Sequence, residues 1–229
     1  MRAERSLTGR LALALLSALL LSLAQQPFGL FPLAWVALVP FLAALEGQGA
    51  TGRMAIGAGL GFAYALLAGH WAPLHLGLAA APAVAGWAAG SAAVALAAGC
   101  VPRPRGALPH AVIFAATWAG MEYTLSELVP VGLPSLGLGY SQVPDGPFLQ
   151  LASVIGCYGM SLAVVLLNGV AFELLLGGRT RSWALGLATI LTLAVIHGAG
   201  AERAGDRPDT PLVVSLVQAA DADLASLLA

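Results

Sequence analysis

Apolar residues run through this chain in long blocks, not in the short alternations of a soluble protein. Divided at glycine, proline and charged breakers, the blocks cover roughly residues 7–25, 30–46, 53–72, 79–100, 108–128, 147–176 and 182–199. Most approach the ~20 residues a helix needs to cross hydrocarbon. The pattern therefore predicts an all-α membrane fold, a polytopic bundle of about seven transmembrane helices spanning residues 1–199. Pro32 and Pro40 fall in the second block and Pro82 in the fourth, which membrane helices tolerate when neighbours satisfy the freed carbonyls. "AIGAGLGFA" (55–63) and "AVAGWAAGSAAVALAAG" (83–99) place glycine and alanine at i, i+4 spacing. Such faces let helices approach closely in lipid; an alanine-rich helix without a specific partner would read the same way.

Past residue 199 the pattern changes. "GAERAGDRPDT" is polar and proline-punctuated, "PLVVSLVQ" (211–218) reads as a buried strand, and "AADADLASLLA" ends in a short acidic helix or frayed end. Residues 200–229 are thus expected to form a separate unit, a linker and one strand.

Composition supports the membrane assignment. The chain is 59% hydrophobic and 9% charged, with a mean hydropathy of +0.87, whereas soluble domains carry about 25% charged residues. A net charge of −1 without a basic patch argues against nucleic acid as a partner. All ten basic residues are arginine. Arg2, Arg5, Arg10, Arg53, Arg103, Arg105, Arg179 and Arg181 fall on one side of a seven-span arrangement, and the opposite loops near 26–29, 73–78 and 129–146 carry none. The positive-inside rule then puts the N-terminus in the cytoplasm and the tail after the last span on the outer face. The first block also has the basic start, short apolar core and small Ser22 and Ala24 of a signal peptide. Its retention is expected, and cleavage would leave the downstream orientation unchanged.

Candidate chemistry is sparse. Glu122 sits in the fifth block, about six residues, or ~9 Å, from its outer end. An ionisable group there is a functional candidate by default, and Trp118 lies one turn earlier on the same face. A hydrogen-bonded structural acid is the alternative. Cys157, about ten residues into the sixth block, and Cys100, at the cytoplasmic end of the fourth, have no cation nearby in sequence and read as small hydrophobes. His70, Trp71 and His75 suggest an interfacial aromatic belt, since no third metal ligand is close. No metal site or cofactor motif is found. The outer loop "GLPSLGLGYSQ" (132–142) combines glycine, which permits close approach, with the polar groups of Tyr140, Ser141 and Gln142.

Three segments in series resemble the apolipoprotein N-acyltransferase family: "PFGLFPLAWVALVPFLAAL" (27–45), "WAGMEYTLSELVPVGLPSLGLGYSQ" (118–142) and "LQLASVIGCYGMSLAVVLLNG" (149–169), the last with Asn168 near its end. "PLVVSLVQ" is similar to the first strand of the nitrilase-like domain that these enzymes carry on the outer face. The resemblance implies a ping-pong reaction: a cysteine thiolate takes an acyl chain from a phospholipid donor and passes it to the N-terminal diacylglyceryl-cysteine of a lipoprotein acceptor. A glutamate base and a lysine assist. The implied location is the bacterial cytoplasmic (inner) membrane, multi-pass. The sequence departs from the family where Tyr123, Thr124 and Leu125 follow Glu122 and where Ser135 follows Pro134 in place of the usual tryptophan.

The Glu-Lys-Cys set that the resemblance calls for is not recognised in this chain, which has no lysine. The expectation is therefore a membrane platform cut off after the first strand of an α/β nitrilase-like domain and inactive alone. Trp118, Glu122, Tyr140, Ser141 and Gln142 are its substrate- or lipid-facing candidates. A scaffold subunit for a separately encoded nitrilase-like domain is the alternative. A small transporter is a weaker one, since Glu122 stands alone at depth and no internal repeat is visible.

Overall fold

The computed structural model describes residues 6–100, 107–129 and 134–176, together with Gly198 and Gly200. The expected seventh span (182–199) and the expected strand (211–218) lie outside the described residues, apart from Gly198. All regular structure among the described residues is helical.

Helix α1 (Leu7–Ala24) starts where Ser6 Oγ accepts the Gly9 N–H at 3.2 Å, an N-cap. After the cis Gln26–Pro27 bond the chain doubles back along α1, and the Leu30 N–H donates to Leu23 O at 3.0 Å. The returning segment differs from expectation. Residues 30–46 do not form one helix but a 3₁₀ turn, Phe31–Trp35, followed by α2, Val39–Leu45. Pro32 and Pro40 each sit in a first turn, where a missing N–H costs nothing. The break between them exposes backbone groups that neighbouring helices then satisfy. Asn168 Oδ1 accepts the Leu38 N–H at 2.7 Å and its Nδ2 donates to Ala34 O at 2.8 Å. Ser17 Oγ on α1 accepts the Phe41 N–H at 2.9 Å. At the far end, Arg10 Nη1 donates to Ala44 O (2.8 Å) and Glu46 O, carbonyls at the C-terminus of α2.

Helix α3 (Ala50–Ala68) packs on α1 and, more extensively, on α5 (Ala81–Cys100). The two run antiparallel, with Arg53 against Gly99, Gly57 against Ser91 and Ala92, and Gly61 against Trp87. A Cβ on Gly61 would collide with the Trp87 carbonyl. The small-residue stretches of the sequence therefore do pair, with each other. Between these helices lie α4 (Trp71–Leu76) and a 3₁₀ turn, Gly77–Ala80.

Helix α6 (Ala107–Tyr123) runs on into one widened π-helical turn, Thr124–Leu128. Its start is tied to the end of α5 by His110 Nε2, 3.0 Å from Ala98 O. Two 3₁₀ turns, Pro134–Leu136 and Leu138–Gln142, lead to α7 (Gly146–Leu149), capped by Asp145. Helix α8 (Ala152–Leu176) follows and packs along α6. It does not form the single uninterrupted helix expected over 147–176: Gly156, at φ 67°, kinks it after its first turn. Buried Ala18, Phe41, Tyr64, Trp87, Phe114, Trp118 and Phe172 belong to one core drawn from six helices.

Among the described residues three apolar helical stretches are long enough to cross a membrane: Leu7–Ala24, Trp71–Cys100 and Ala152–Leu175.

Candidate functional site

The site is assembled at one end of the bundle, where α1, α3 and α6 finish and α8 restarts after its kink. Its centre is Glu122, fully buried. Oε1 accepts two hydrogen bonds, from Trp118 Nε1 at 2.7 Å and from the Leu138 N–H at 2.9 Å. The first lies within α6, one turn apart. The second reaches the loop. Oε2 has no hydrogen bond among the described residues, although the Ser161 hydroxyl lies beside the carboxylate. That hydroxyl oxygen accepts the Gly139 N–H at 2.7 Å, so its own hydrogen is free to turn toward Glu122.

The loop is held from a second direction. Gln25, just past α1, donates through Nε2 to Tyr64 Oη (2.9 Å) and Gly137 O (3.1 Å). Tyr64 Oη donates in turn to Leu136 O at 2.6 Å. Ser141 Oγ donates to Leu138 O at 2.7 Å, and Gln142 Nε2 reaches Ser141 Oγ (2.8 Å) and Phe31 O (3.4 Å). Side chains from α3, α6 and α8, with Gln25 beyond α1, thus take up the polar backbone of 136–139. Non-helical backbone buried in a membrane protein needs such partners. Gly139 is required for a different reason: a Cβ there would strike the Cys157 carbonyl.

The sequence candidates divide on this geometry. Trp118, Glu122, Ser141 and Gln142 are buried and brought together around the loop, whereas Tyr140 is 42% exposed. Its hydroxyl is pushed up from the ordinary phenol range, first by partial burial and then by the Cys157 thiol and the charges of Glu127 and Glu122. It remains a neutral donor at physiological pH. Cys157 is half-buried at this end of the bundle. The Gly156 kink restarts the helix, so Cys157 lies in the first turn after the kink, against Gly139. Beside the site, Tyr158 Oη donates to Glu127 Oε1 at 2.6 Å, and the edge of one ring of the Tyr123–Tyr158 pair meets the face of the other at 5.5 Å.

Gln25, Tyr64 and Ser161 were not singled out by sequence reading. Their signal was present: polar side chains within or bordering apolar blocks, where an unpaired polar group is costly. Which backbone they would satisfy was not visible. The two described arginines, Arg10 and Arg53, lie at the other end of the bundle, one at the C-terminus of α2 and one against Gly99. The 15 residues from the start of α6 to Glu122 amount to about 22 Å at ~1.5 Å each. No group of three His, Cys, Asp or Glu side chains suited to a metal occurs among the described residues. The geometry is that of a rigid mount for a loop, with one phenol presented outward.

Residues 17–170, from α1 into α8, match the apolipoprotein N-acyltransferase N-terminal domain. The chain is 37% identical over 70 residues to an apolipoprotein N-acyltransferase of Geobacter metallireducens, covering 31% of this chain and 13% of that one. It is 33% identical over 113 residues to one from Pasteurella multocida (46% and 21%). A Haemophilus influenzae protein of the same name is 35% identical over 92 residues (40% and 17%). The matched stretches are thus a small part of the relatives' own length.

Proposed function

Because this chain belongs to the apolipoprotein N-acyltransferase family, by way of that family's N-terminal domain, we propose that it supplies the membrane platform of an acyl transfer from phospholipid to the N-terminal diacylglyceryl-cysteine of a lipoprotein. The platform is a bundle of about seven spans in the bacterial inner membrane, with its N-terminus in the cytoplasm. The Glu122 end faces outward, toward a nitrilase-type domain that performs the chemistry. The single observation that carries this reading is the Glu122 anchor. A buried carboxylate fixes the Leu138 N–H while Ser161 fixes that of Gly139, so Tyr140 is presented outward from a rigid base. In this role Glu122 and Trp118 are positioning residues, and Tyr140 is the residue that meets lipid or a docking loop.

Residues 1–229 do not carry the transfer themselves. The family reaction requires a thiolate, a base and a cation that stabilises the oxyanion. The chain has no lysine, and arginine, with its planar fork, is a poor substitute for one. Both described arginines are at the far end of the bundle from Cys157. The test is to express residues 1–229 in cells depleted of their own N-acyltransferase, alone and joined to a nitrilase-type domain. The expected result is no third acyl chain on a lipoprotein from the first and acylation from the second. Acylation by residues 1–229 alone would overturn the platform reading.

A further inference from the structure

The segment between α3 and α5 has an exposure pattern that a water-facing loop does not explain. Leu78 is 93% exposed and Leu74 77%, the two most exposed large apolar side chains described. Helix α5 alone has 20 residues, which at ~1.5 Å each give about 30 Å, the thickness of the hydrocarbon layer. Yet the apolar stretch runs 30 residues, from Trp71 to Cys100. The surplus does not continue straight, because Gly77, at φ 56°, turns the chain between α4 and the 3₁₀ turn. We propose that residues 70–80 form an elbow embedded in the outer leaflet, with Leu74 and Leu78 among the acyl chains of the lipid and Trp71, His70 and His75 at headgroup level. The proposal rests on the membrane-platform reading and adds a lipid contact to a segment that topology alone would place in water.

Three observations select lipid as the occupant. No charged residue occurs anywhere from 54 to 100, so a protein partner would find no ionic group on this face, whereas acyl chains require none. The exposed Phe62, Leu66 and Leu67 on α3 lead toward the elbow, making it continuous with an exposed apolar side of α3. At the break two backbone N–H groups are satisfied within the elbow: that of Gly77 donates to Pro73 O and that of Ala81 to Leu78 O. Lipid-exposed backbone is tolerated only when its polar groups are satisfied internally. Trp71 and the two exposed histidines are amphipathic groups of the kind that settle at the membrane interface.

The test is electron paramagnetic resonance on spin labels at Leu74→Cys and Leu78→Cys, in a chain lacking Cys100 and Cys157 and reconstituted in phosphatidylglycerol–phosphatidylethanolamine nanodiscs. Phe62→Cys serves as the lipid reference and Val143→Cys as the reference for the outer surface. Collision rates with oxygen, which partitions into lipid, and with a water-soluble nickel chelate report depth. The expected oxygen-to-nickel ratio at Leu74 and Leu78 is at least threefold that at Val143. Nickel collisions equal to those at Val143 would overturn the proposal, placing the elbow in water. Low collision rates with both reagents would also overturn it, meaning that protein covers the elbow. A Phe62 label that itself reads as aqueous would instead sink the membrane reading. Circular dichroism of each labelled variant checks that the helices are retained, and bimane at the same positions, quenched by brominated lipid, provides a second measurement.

Discussion

Glu122 and Leu138 are 16 residues apart in sequence and joined by one hydrogen bond of 2.9 Å, the Leu138 N–H donating to Oε1. The same oxygen takes the Trp118 indole N–H at 2.7 Å. One carboxylate oxygen thus fixes both a side chain of α6 and the backbone of the loop.

Replacing Glu122 by alanine leaves two buried donors unsatisfied, at about 1–3 kcal/mol each. Glu122→Gln keeps an acceptor and is expected to lose less than half as much stability, read as the midpoint of thermal unfolding in nanodiscs. In a chain joined to a catalytic domain, Glu122→Ala is expected to lower acyl transfer per folded molecule. Unchanged turnover with less folded protein would reduce Glu122 to a structural role.

Asn168 tests the break in the returning segment. Asn168→Leu removes the acceptor of the Leu38 N–H and the donor to Ala34 O. A loss of about 2–6 kcal/mol is expected from the two orphaned groups. Ser17→Ala orphans only the Phe41 N–H and should cost about half that. Equal, negligible losses in thermal unfolding would mean that other groups satisfy this break.

Gly61→Ala drives a methyl group into the Trp87 carbonyl, whereas Gly59→Ala meets only the end of the Leu11 side chain at 3.4 Å. The first is expected to destabilise the α3–α5 pair by about 1–3 kcal/mol, as overpacking does. The second should be near neutral. Similar unfolding midpoints for both variants would contradict the close approach of these helices.

Orientation is checked with cysteines at Val143 and Ala50, both exposed, in a chain lacking Cys100 and Cys157. An impermeant thiol reagent added to intact cells is expected to label the Val143 position and to reach Ala50 only once the membrane is opened. The reverse result would invert the topology.

The apolar, helical character, the places of most helix-forming blocks among the described residues and the one unusual acid were legible in the sequence alone. Each depends on composition or spacing along a single helix, as in the leucine- and alanine-rich α1 of 18 residues or the four-residue step from Trp118 to Glu122. The family resemblance was carried by motifs in series, and these too are local. Tertiary structure decided where hydrogen-bonding groups left over by the breaks would go. Pro32 and Pro40 read as tolerated within one span, whereas the segment breaks between them and the packing of α8 beside 34–38 assigns the freed groups to Asn168. The loop at 132–142 read as an outer loop with glycines for close approach and polar groups facing substrate or lipid. From 136 to 139 it is instead buried, because Gln25, Tyr64, Glu122 and Ser161 converge on it from positions up to 112 residues away. An unpaired backbone N–H or C=O in a protein interior must find a partner, and the sequence shows the need without the address. The partner is chosen by which helix ends meet in space.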